Sequence, residues 1–378
     1  MKEYNYAAPC LMGVEKLLSN ELKFMGAHDV HAENGRVFFS GGAEMAARAN
    51  LRSRIAERIL IVCAKFSVNT FDELFNGVRA VNWSEYLPKN ASFPVTGSCI
   101  SSQLKSVSDC QAIIKKAIAE SLCSAYHVNG FMPEDGSVYK VRFLLFKDNI
   151  SVMLDTTGEA LHKRGYRANS GGAPMKETLA AAVTELARVR KNTTVIDPCC
   201  GSGTLIIEAA QRALSIAPGI SRSFAAENWE IIPSSIWEKE REAARADVRT
   251  NVEFRGIGCD IDKNVIEIAR ENAQKAGVAD YVEFHVRDIA DFHEIFERAV
   301  VVCNPPYGER LLDITQAEKL YTVMGEKFAM REGWSYNIIC PDDDFERFFG
   351  RRADKRRKLY NGMISCRLYQ FFDKSKIN

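Results

Sequence analysis

The sequence predicts an α/β protein in which an open, mostly parallel sheet follows two smaller α+β units. Short runs of apolar, β-branched residues, such as residues 298–303, are typical of buried parallel strands. Several of these runs lead through a glycine or acidic turn directly into a helical pattern, which is the repeat of an α/β sheet. Near the chain end, Asn361-Gly362 lies between two apolar runs and predicts a hairpin. The last strands of the sheet are therefore expected to be antiparallel.

Length and composition are those of an ordinary globular protein. The 378 residues, 46% hydrophobic and 26% charged, suggest two or three domains with ample core. Because the net charge is only +1, contact with a nucleic acid requires a local basic patch. The 11 cysteines include no C-x-x-C pair and do not cluster with the six histidines, so no metal site is expected. No apolar run approaches the length of a membrane span, and the start resembles no signal peptide, so we expect a soluble, cytoplasmic protein.

The first half of the chain is expected to form the two α+β units. Between residues 4 and 66 the pattern alternates, with helices at 13–25 and 43–54 and strands at 36–40 and 59–66, as in a ferredoxin-type unit. The second unit is expected to contain helices at 71–78 and 107–127 and strands at 93–100, 138–146 and 150–154, the last two joined by a turn at Asp148-Asn149. Its Lys105, Lys115 and Lys116 either reach phosphates or form a solvated helix face.

A glycine turn opens the second half. A strand ending at Asp197 leads into Pro198-Cys199-Cys200-Gly201-Ser202-Gly203-Thr204, and a helical pattern follows at 205–214. The glycines allow the backbone to approach a ligand and leave helix N–H groups facing it. Ile206 occupies the place where a dinucleotide fingerprint has its third glycine. This departure disfavours a pyrophosphate and favours a nucleoside without phosphates, such as S-adenosylmethionine.

Two further strands end in carboxylates. The strand 254–259 ends at Asp260-Ile261-Asp262, and a carboxylate there usually binds ribose hydroxyls. Asp260 follows Gly201 by 59 residues, whereas about 20 are usual, so an insertion is expected at 215–251 with a charged helix at 238–249. If the chain returns to the sheet after it, Asp260 is the ribose ligand; otherwise it is a helix N-cap. Asp288, which ends the strand 282–288, either accepts from an adenine amino group or is a loop carboxylate.

The run 298–303 leads into Asn304-Pro305-Pro306-Tyr307. Proline removes a ladder donor and restricts its predecessor, so the strand must stop and present Asn304 at its carboxyl end, where α/β sheets bind ligands. The Asn304 side-chain oxygen and the Pro305 carbonyl can accept both hydrogens of an exocyclic amine, and the Tyr307 ring can lie against a flat base. The alternative is a rigid loop without chemistry.

The order of these features resembles a known family. Residues 165–378 resemble the class I S-adenosylmethionine-dependent methyltransferases that methylate amines, which have a Rossmann-like fold with a seven-stranded mixed sheet. The specific forms resemble the THUMP-containing RNA guanine-N2 methyltransferases, most closely the bacterial 23S rRNA enzymes. Bifunctional members carry a second methyltransferase module, which is not expected in this chain. The motifs that carry the resemblance are Asp197-Pro198-Cys199-Cys200-Gly201-Ser202-Gly203, Gly258-Cys259-Asp260-Ile261-Asp262 and Asn304-Pro305-Pro306-Tyr307-Gly308-Glu309-Arg310.

The resemblance also implies domains and site residues. It places a ferredoxin-like domain at 1–66, a THUMP RNA-binding domain at 67–157, a linker at 158–168 and the methyltransferase domain at 169–378. The catalytic candidates are Asn304, Pro305 and Tyr307. The cofactor-binding candidates are Asp197, Cys199, Gly201, Gly203, Thr204, Asp260, Ile261, Asp288 and Asn304. The RNA-binding candidates are Lys163, Arg164 and Arg167 in the junction 154–167, and Arg356, Arg357 and Lys358 in the basic run 351–358. That run is alternatively a solvated edge that prevents strand pairing.

The implied activity is methyl transfer from S-adenosylmethionine to the N2 amine of a guanine in 23S rRNA. A guanine in tRNA is the alternative acceptor. The sequence N-P-P-Y also occurs in enzymes that methylate DNA adenine or a release-factor glutamine, against which the RNA-binding module argues. A non-catalytic RNA-binding assembly factor is the third interpretation.

Overall fold

In a computed structural model, residues 2–167, 175–293, 296–307 and 314–373 are described. Their contacts divide the chain into two units. The first comprises Met1–Cys10, Leu18–Leu161 and Ser223–Ala243, and the second comprises Leu11–Leu17, His162–Arg222 and Ala244–Asn378. None of the helices in the described part of the chain combines the length and the apolar character that a membrane span requires.

The first unit is built on one seven-stranded sheet with the order β2-β3-β1-β4-β7-β6-β5. Its strands are β1 (Tyr4–Pro9), β2 (His28–Glu33), β3 (Arg36–Gly41), β4 (Leu60–Ser67), β5 (Val95–Ile100), β6 (Val141–Phe146) and β7 (Asn149–Asp155). Its helices are α1 (Glu15–Phe24), α2 (Ala43–Arg52), α3 (Phe71–Arg79) and α4 (Val107–Ala125). Only β5 and β6 are parallel among the described pairs.

The predicted elements of this half are confirmed, but the two expected α+β units share one sheet. Antiparallel pairing of β4 with β7, from Leu60 opposite Asp155 to Ser67 opposite Asn149, joins them. Strand β2 was not predicted, because its sequence is polar on both faces and has no apolar alternation. The expected turn at Asp148-Asn149 is wrong by one residue. Phe146 pairs with Asn149, and the turn residues are Lys147 and Asp148, which both have positive φ.

The segment 223–243 of the expected insertion packs within the first unit. The Trp229 ring stacks on Tyr139 with centroids 4.6 Å apart, and its Nε1 donates to the Val138 carbonyl at 3.0 Å. Arg48 and Glu240 form an ion pair of 2.7 Å. The charged helix of the insertion is α7 (Ser234–Ala246), so it begins earlier than expected. These partners could not be predicted from the sequence.

The second unit contains a seven-stranded mixed sheet with the order β10-β9-β8-β11-β12-β14-β13, which confirms the predicted fold class. Its strands are β8 (Thr194–Asp197), β9 (Arg255–Asp260), β10 (Val282–Val286), β11 (Ala299–Cys303), β12 (Trp334–Cys340), β13 (Lys355–Asn361) and β14 (Ile364–Phe372). Its remaining helices are α5 (Glu177–Leu186), α6 (Thr204–Ala213), α8 (Lys263–Lys275), α9 (Ile314–Lys327) and α10 (Phe345–Phe349). The first five strands of the order are parallel.

The core of the second unit explains why its strands are nearly continuous apolar runs. Ile196 and Val301 of the central strands are fully buried, as a sheet covered on both faces requires. Helices α9 and α10 contribute Met324 and Phe345 to the same core. The predicted hairpin is confirmed: β13 and β14 are antiparallel, and their turn residues are Gly362 and Met363.

Candidate active site

The glycine turn lies between β8 and α6, and its two glycines have different surroundings. Gly201 and Gly203 have φ of +51° and +83°, values that side-chain-bearing residues rarely adopt. A Cβ on Gly203 would lie 2.9 Å from Cζ of Phe284, so only glycine fits there. A Cβ on Gly201 would meet no described atom within 4 Å. The turn is therefore packed tightly at Gly203 and open at Gly201, where a ligand can approach the backbone.

Asp260 joins the end of β9 to this turn. Its Oδ2 accepts from the Gly201 backbone N–H at 2.9 Å, and its Oδ1 accepts from the Asp262 N–H at 3.1 Å. The helix N-cap of α8 is Asp262, which accepts from Asn264 at 2.8 Å. After the insertion the chain thus returns to the sheet, since β9 pairs directly with β8. This satisfies the condition under which Asp260 is expected to bind ribose.

Asp197 and Cys200 lie beneath the turn. Asp197 is 1% exposed, and its Oδ1 accepts from the Cys199 N–H at 3.1 Å. Burial raises the pKa of the Asp197 carboxyl well above its usual range, and the nearby Asp260 carboxylate acts in the same direction. Cys200 donates its N–H to the Cys259 carbonyl at 2.8 Å, and burial raises the pKa of its thiol. These contacts hold the shape of the turn.

Asn304 follows β11 at the same edge of the sheet. Its Oδ1 is buried and has no hydrogen-bond partner among the described residues. Pro305 is buried beside it. The Tyr307 hydroxyl accepts from Nδ2 of Asn361 at 3.1 Å, and burial raises the pKa of Tyr307 to about 12. Of the sequence motif, residues 308–310 lie outside the described residues.

The strand order brings these side chains to one edge. β8 is flanked by β9 and β11, so Asp197, Asp260 and Asn304 lie at the carboxyl ends of three adjacent parallel strands. Asp288 comes after the next strand, β10; it is exposed and accepts from the Ala290 N–H at 2.9 Å. Ile261 is 70% exposed beside Asp260. Open glycine backbone, carboxylate acceptors and an exposed apolar residue fit S-adenosylmethionine, which has ribose hydroxyls and no phosphate.

Two arginines expected to bind RNA lie in the interior of the second unit. Arg164 is 4% exposed, and its Nε lies 3.6 Å from Oε1 of Glu208. Arg167 lies 3.3 Å from Oε1 of Glu177 and donates to Oγ1 of Thr204 at 3.0 Å. Phosphate contact through Arg164 would separate it from the buried Glu208 carboxylate, so Arg164 is not proposed to contact RNA. Arg167 instead contacts a predicted cofactor-site residue. No sequence signal marked this pairing, because Glu208 lies on the side of the predicted helix 205–214 that is opposite Ile206, Ala209 and Ala210.

The basic run lies on the edge strand β13. Its residues 355–358 are exposed. Arg356 pairs with Glu346, with Nε 2.9 Å from Oε1, and Arg357 donates to the Gly13 carbonyl at 3.1 Å. Their place on an edge strand is what a solvated edge requires, and their exposure to solvent is what contact with RNA requires. Both interpretations of Arg356, Arg357 and Lys358 therefore stay open, as does that of the exposed Lys163.

A parallel sheet that ends in an antiparallel pair, with a glycine turn, an acidic strand end and Asn-Pro-Pro-Tyr at its carboxyl edge, defines a class I methyltransferase. Comparison with protein families gives the same class. Residues 164–370 match the UPF0020 model, described as an RMKL-like methyltransferase domain. Residues 5–60 match an RlmL ferredoxin-like domain, and residues 68–155 match a THUMP domain. The chain belongs to this RMKL-like methyltransferase family, which confirms the family and the cofactor that the sequence predicts.

Similar proteins agree on methyl transfer and differ in the acceptor that they name. The chain is 42% identical to "Putative RNA methyltransferase YpsC" of Bacillus subtilis (strain 168), covering 99% of this chain and 97% of that protein. It is 34% identical to "Ribosomal RNA large subunit methyltransferase K/L" of Psychromonas ingrahamii, covering 97% of this chain and 50% of that protein. The chain thus spans about half the length of its K/L relatives.

Solved structures with the same fold cover nearly the whole chain. "SMU.472, a putative methyltransferase complexed with SAH" is 41% identical with a TM-score of 0.93, covering 99% of both chains. "A predicted N6-adenine-specific DNA methylase" from Listeria monocytogenes is also 41% identical with a TM-score of 0.93, covering 98% of this chain and 97% of that chain.

Proposed function

We propose that this protein transfers a methyl group from S-adenosylmethionine to the exocyclic N2 amine of a guanine in 23S rRNA. The observation that carries the proposal is the buried Asn304 Oδ1, which has no donor among the described residues. A buried acceptor without a partner costs about 1–3 kcal/mol, so such atoms are rare unless a ligand satisfies them. An amine bound at this edge of the sheet would supply the missing donor.

The acceptors have a direct role in the chemistry. The nitrogen lone pair of guanine N2 is delocalised into the ring, which makes the amine a poor nucleophile. Hydrogen bonds to the Asn304 oxygen and the Pro305 carbonyl favour a pyramidal nitrogen and stabilise the positive charge that develops on it. S-adenosylmethionine, when bound, supplies a methyl group that is already activated. The chain's main task is therefore alignment, which is worth several kcal/mol in well-oriented reactions.

Tyr307 is proposed to position the base. Its ring can stack on a flat heterocycle, and its hydroxyl is held by Asn361. A guanine inside a helix cannot reach Asn304, so the target must be unpaired or turned out of the stack. The fixed Tyr307 ring would then support one face of the base.

The cofactor is proposed to lie along the carboxyl edge of β8, β9 and β10. The turn at Gly201, Gly203 and Thr204 faces it and is open at Gly201, while Asp260 binds the ribose hydroxyls. Asp288 accepts from the adenine amino group, and Ile261 provides apolar surface beside it. Asp197 and Cys199 act through the shape of the turn that they hold.

RNA as the substrate is supported by the THUMP match and by the names of the relatives. The K/L relatives are named for large-subunit rRNA, which favours 23S rRNA over tRNA. We propose domain limits at 1–66, 67–157, 158–168 and 169–378, close to the family matches. Lys163, Arg357 and Lys358 are the exposed cations proposed to meet phosphates.

DNA adenine is the competing acceptor, because the Listeria monocytogenes structure is named for it. Asn304 would accept from an adenine N6 amine equally well, so the preference for RNA over DNA in this proposal rests on the THUMP domain. A non-catalytic assembly factor would gain nothing from a buried acceptor that no described residue satisfies, which disfavours that interpretation.

The test is mass spectrometry of nucleosides from 23S rRNA, tRNA and genomic DNA of cells that lack this chain. We expect N2-methylguanosine to be lost from 23S rRNA and restored by the wild-type chain but not by Asn304→Ala. Loss of the modification from tRNA, or loss of N6-methyladenine from DNA, would reassign the acceptor. Unchanged nucleosides in all three samples would refute catalysis.

A further inference from the structure

The turn of the β13–β14 hairpin projects beyond the edge of the sheet that carries the candidate active site. Cys340, the last residue of β12, pairs with Arg367 of β14. Residues 364–366 and their partners 359–361 therefore extend past the end of β12. Since β12 is parallel to β11, this extension lies at the same edge as Asn304.

The tip of the hairpin carries an unusual side chain. Met363 is 98% exposed, although the turn lies only a few residues from the buried Leu359. Ile364 next to it is 41% exposed. A single exposed apolar residue needs no explanation, but one held at the tip of a projecting hairpin marks an interaction site when other features converge on it.

Two other features converge on the tip. The Asn361 side chain donates to the Tyr307 hydroxyl at 3.1 Å, so the turn is linked to the loop that follows Asn304. Arg357 and Lys358 are exposed on the strand that leads to the turn. The apolar tip therefore has an aromatic base-binding candidate beside it and positive charge along the strand behind it. This combination suits an RNA partner, because charge attracts the backbone while an apolar side chain contacts bases.

We propose that Met363 enters the RNA base stack in the place of the guanine that turns toward Asn304. Proteins that open nucleic-acid stacks commonly insert an apolar side chain between bases, which compensates for lost stacking. Turning a base out costs a few kcal/mol, most for a paired base. Methionine is flexible and unbranched, so it can fill such an irregular gap. The inference rests on the proposed function and adds the element that opens the substrate.

The test compares two synthetic RNA hairpins that carry the target guanine, located by mass spectrometry of nuclease fragments of 23S rRNA from cells with and without this chain. In the first the guanine is paired with cytosine, and in the second it lies opposite an abasic site. We expect Met363→Ala to lower kcat/KM at least ~10-fold on the paired RNA and less than ~2-fold on the abasic RNA, since an unpaired base is cheaper to extrude. Met363→Leu should retain wild-type rates on both, because an apolar side chain of similar volume suffices.

Met330→Ala is the matched control, because Met330 is also exposed but lies before β12 at the opposite edge of the sheet. A direct readout places 2-aminopurine at the target position, paired with uracil in the first RNA, because its fluorescence rises when it leaves the stack. Met363→Ala should abolish that rise on the paired RNA. Equal rates of Met363→Ala and wild type on both RNAs would overturn the proposed insertion of Met363 into the base stack. An equal loss of kcat/KM on both RNAs would overturn it as well. Absence of N2-methylguanine from the wild-type reactions would instead refute the proposed function.

Discussion

Replacing Asn304 with alanine should change stability and turnover in opposite directions. The buried Oδ1 has no donor among the described residues, so the free protein carries an acceptor cost of about 1–3 kcal/mol. Removing the amide removes this cost and a few packing contacts. We therefore expect the free energy of unfolding to stay constant or to rise by up to about 1 kcal/mol.

The same substitution should severely slow the reaction. The Asn304 oxygen is proposed to bind the amine most strongly as charge develops on the nitrogen, which is an interaction specific to the transition state. By analogy with the loss of one oxyanion-hole donor, turnover should fall on the order of 10²–10³-fold, or about 2.7–4 kcal/mol. Cofactor affinity should change much less, because the glycine turn and Asp260 are untouched.

Asn337 provides a matched control on the neighbouring strand β12. It is fully buried, but its Nδ2 donates to the Val301 carbonyl at 3.2 Å and its Oδ1 accepts from Gln370 at 2.8 Å. Asn337→Ala should therefore lower the free energy of unfolding by roughly 2–4 kcal/mol, since it leaves buried groups without partners. Where the variant stays folded, its turnover should remain near wild type.

Single-turnover methylation of 23S rRNA from cells that lack the chain measures the chemical step, and urea unfolding measures stability. A wild-type rate for Asn304→Ala would reduce Asn-Pro-Pro-Tyr to a rigid loop and remove the main support for amine methylation. A loss of stability as large as that of Asn337→Ala would show that the Asn304 oxygen is satisfied in the free protein. Either result refutes the reasoning.

Three further predictions address the cofactor, the RNA and the base. Asp260→Ala should weaken S-adenosylmethionine binding in calorimetry by at least ~10-fold, because it removes a ribose acceptor and the support of Gly201; unchanged affinity would remove the ribose assignment. Lys358→Glu should weaken binding to all RNAs alike and reduce the slope of log affinity against log salt concentration by about 1 or more. Lys191→Glu, before β8, is the control and should have no effect. Equal RNA binding by both variants would favour a solvated edge. Tyr307→Ala should raise KM through lost stacking of about 1–3 kcal/mol, while Tyr307→Phe should lose only one neutral hydrogen bond, worth about 0.5–1.5 kcal/mol. Similar increases in KM for both variants would show that the hydroxyl, not the ring, positions the base.

Much of the second unit could be predicted from the sequence, because its signals are local. The stop imposed by two prolines places Asn304 at a strand end, and the glycines of the turn mark the approach of α6 to β8. Asn361-Gly362 between two apolar runs predicted the antiparallel final pair. Each of these inferences depends on the conformations that a few consecutive residues can adopt.

Contacts between distant residues could not be predicted in the same way. The junction arginines looked like an RNA surface, yet Arg164 pairs with the buried Glu208. Trp229 of the insertion donates to a carbonyl 91 residues away in sequence. A charged or aromatic side chain has the same local pattern whether it is solvated or buried against a partner. Only the packed structure distinguishes the two.

The sequence by itself determined many of the elements, the order of the site motifs and the edge of the sheet at which the candidate site lies, since backbone restrictions act within a few residues. The tertiary structure decided that the two N-terminal units share one sheet through β4 and β7. It also decided that the Asn304 oxygen is buried without a partner among the described residues, and that Met363 is exposed on the hairpin whose Asn361 donates to Tyr307. Burial and hydrogen-bond satisfaction depend on every neighbour in space, so these properties appear only when the chain is folded.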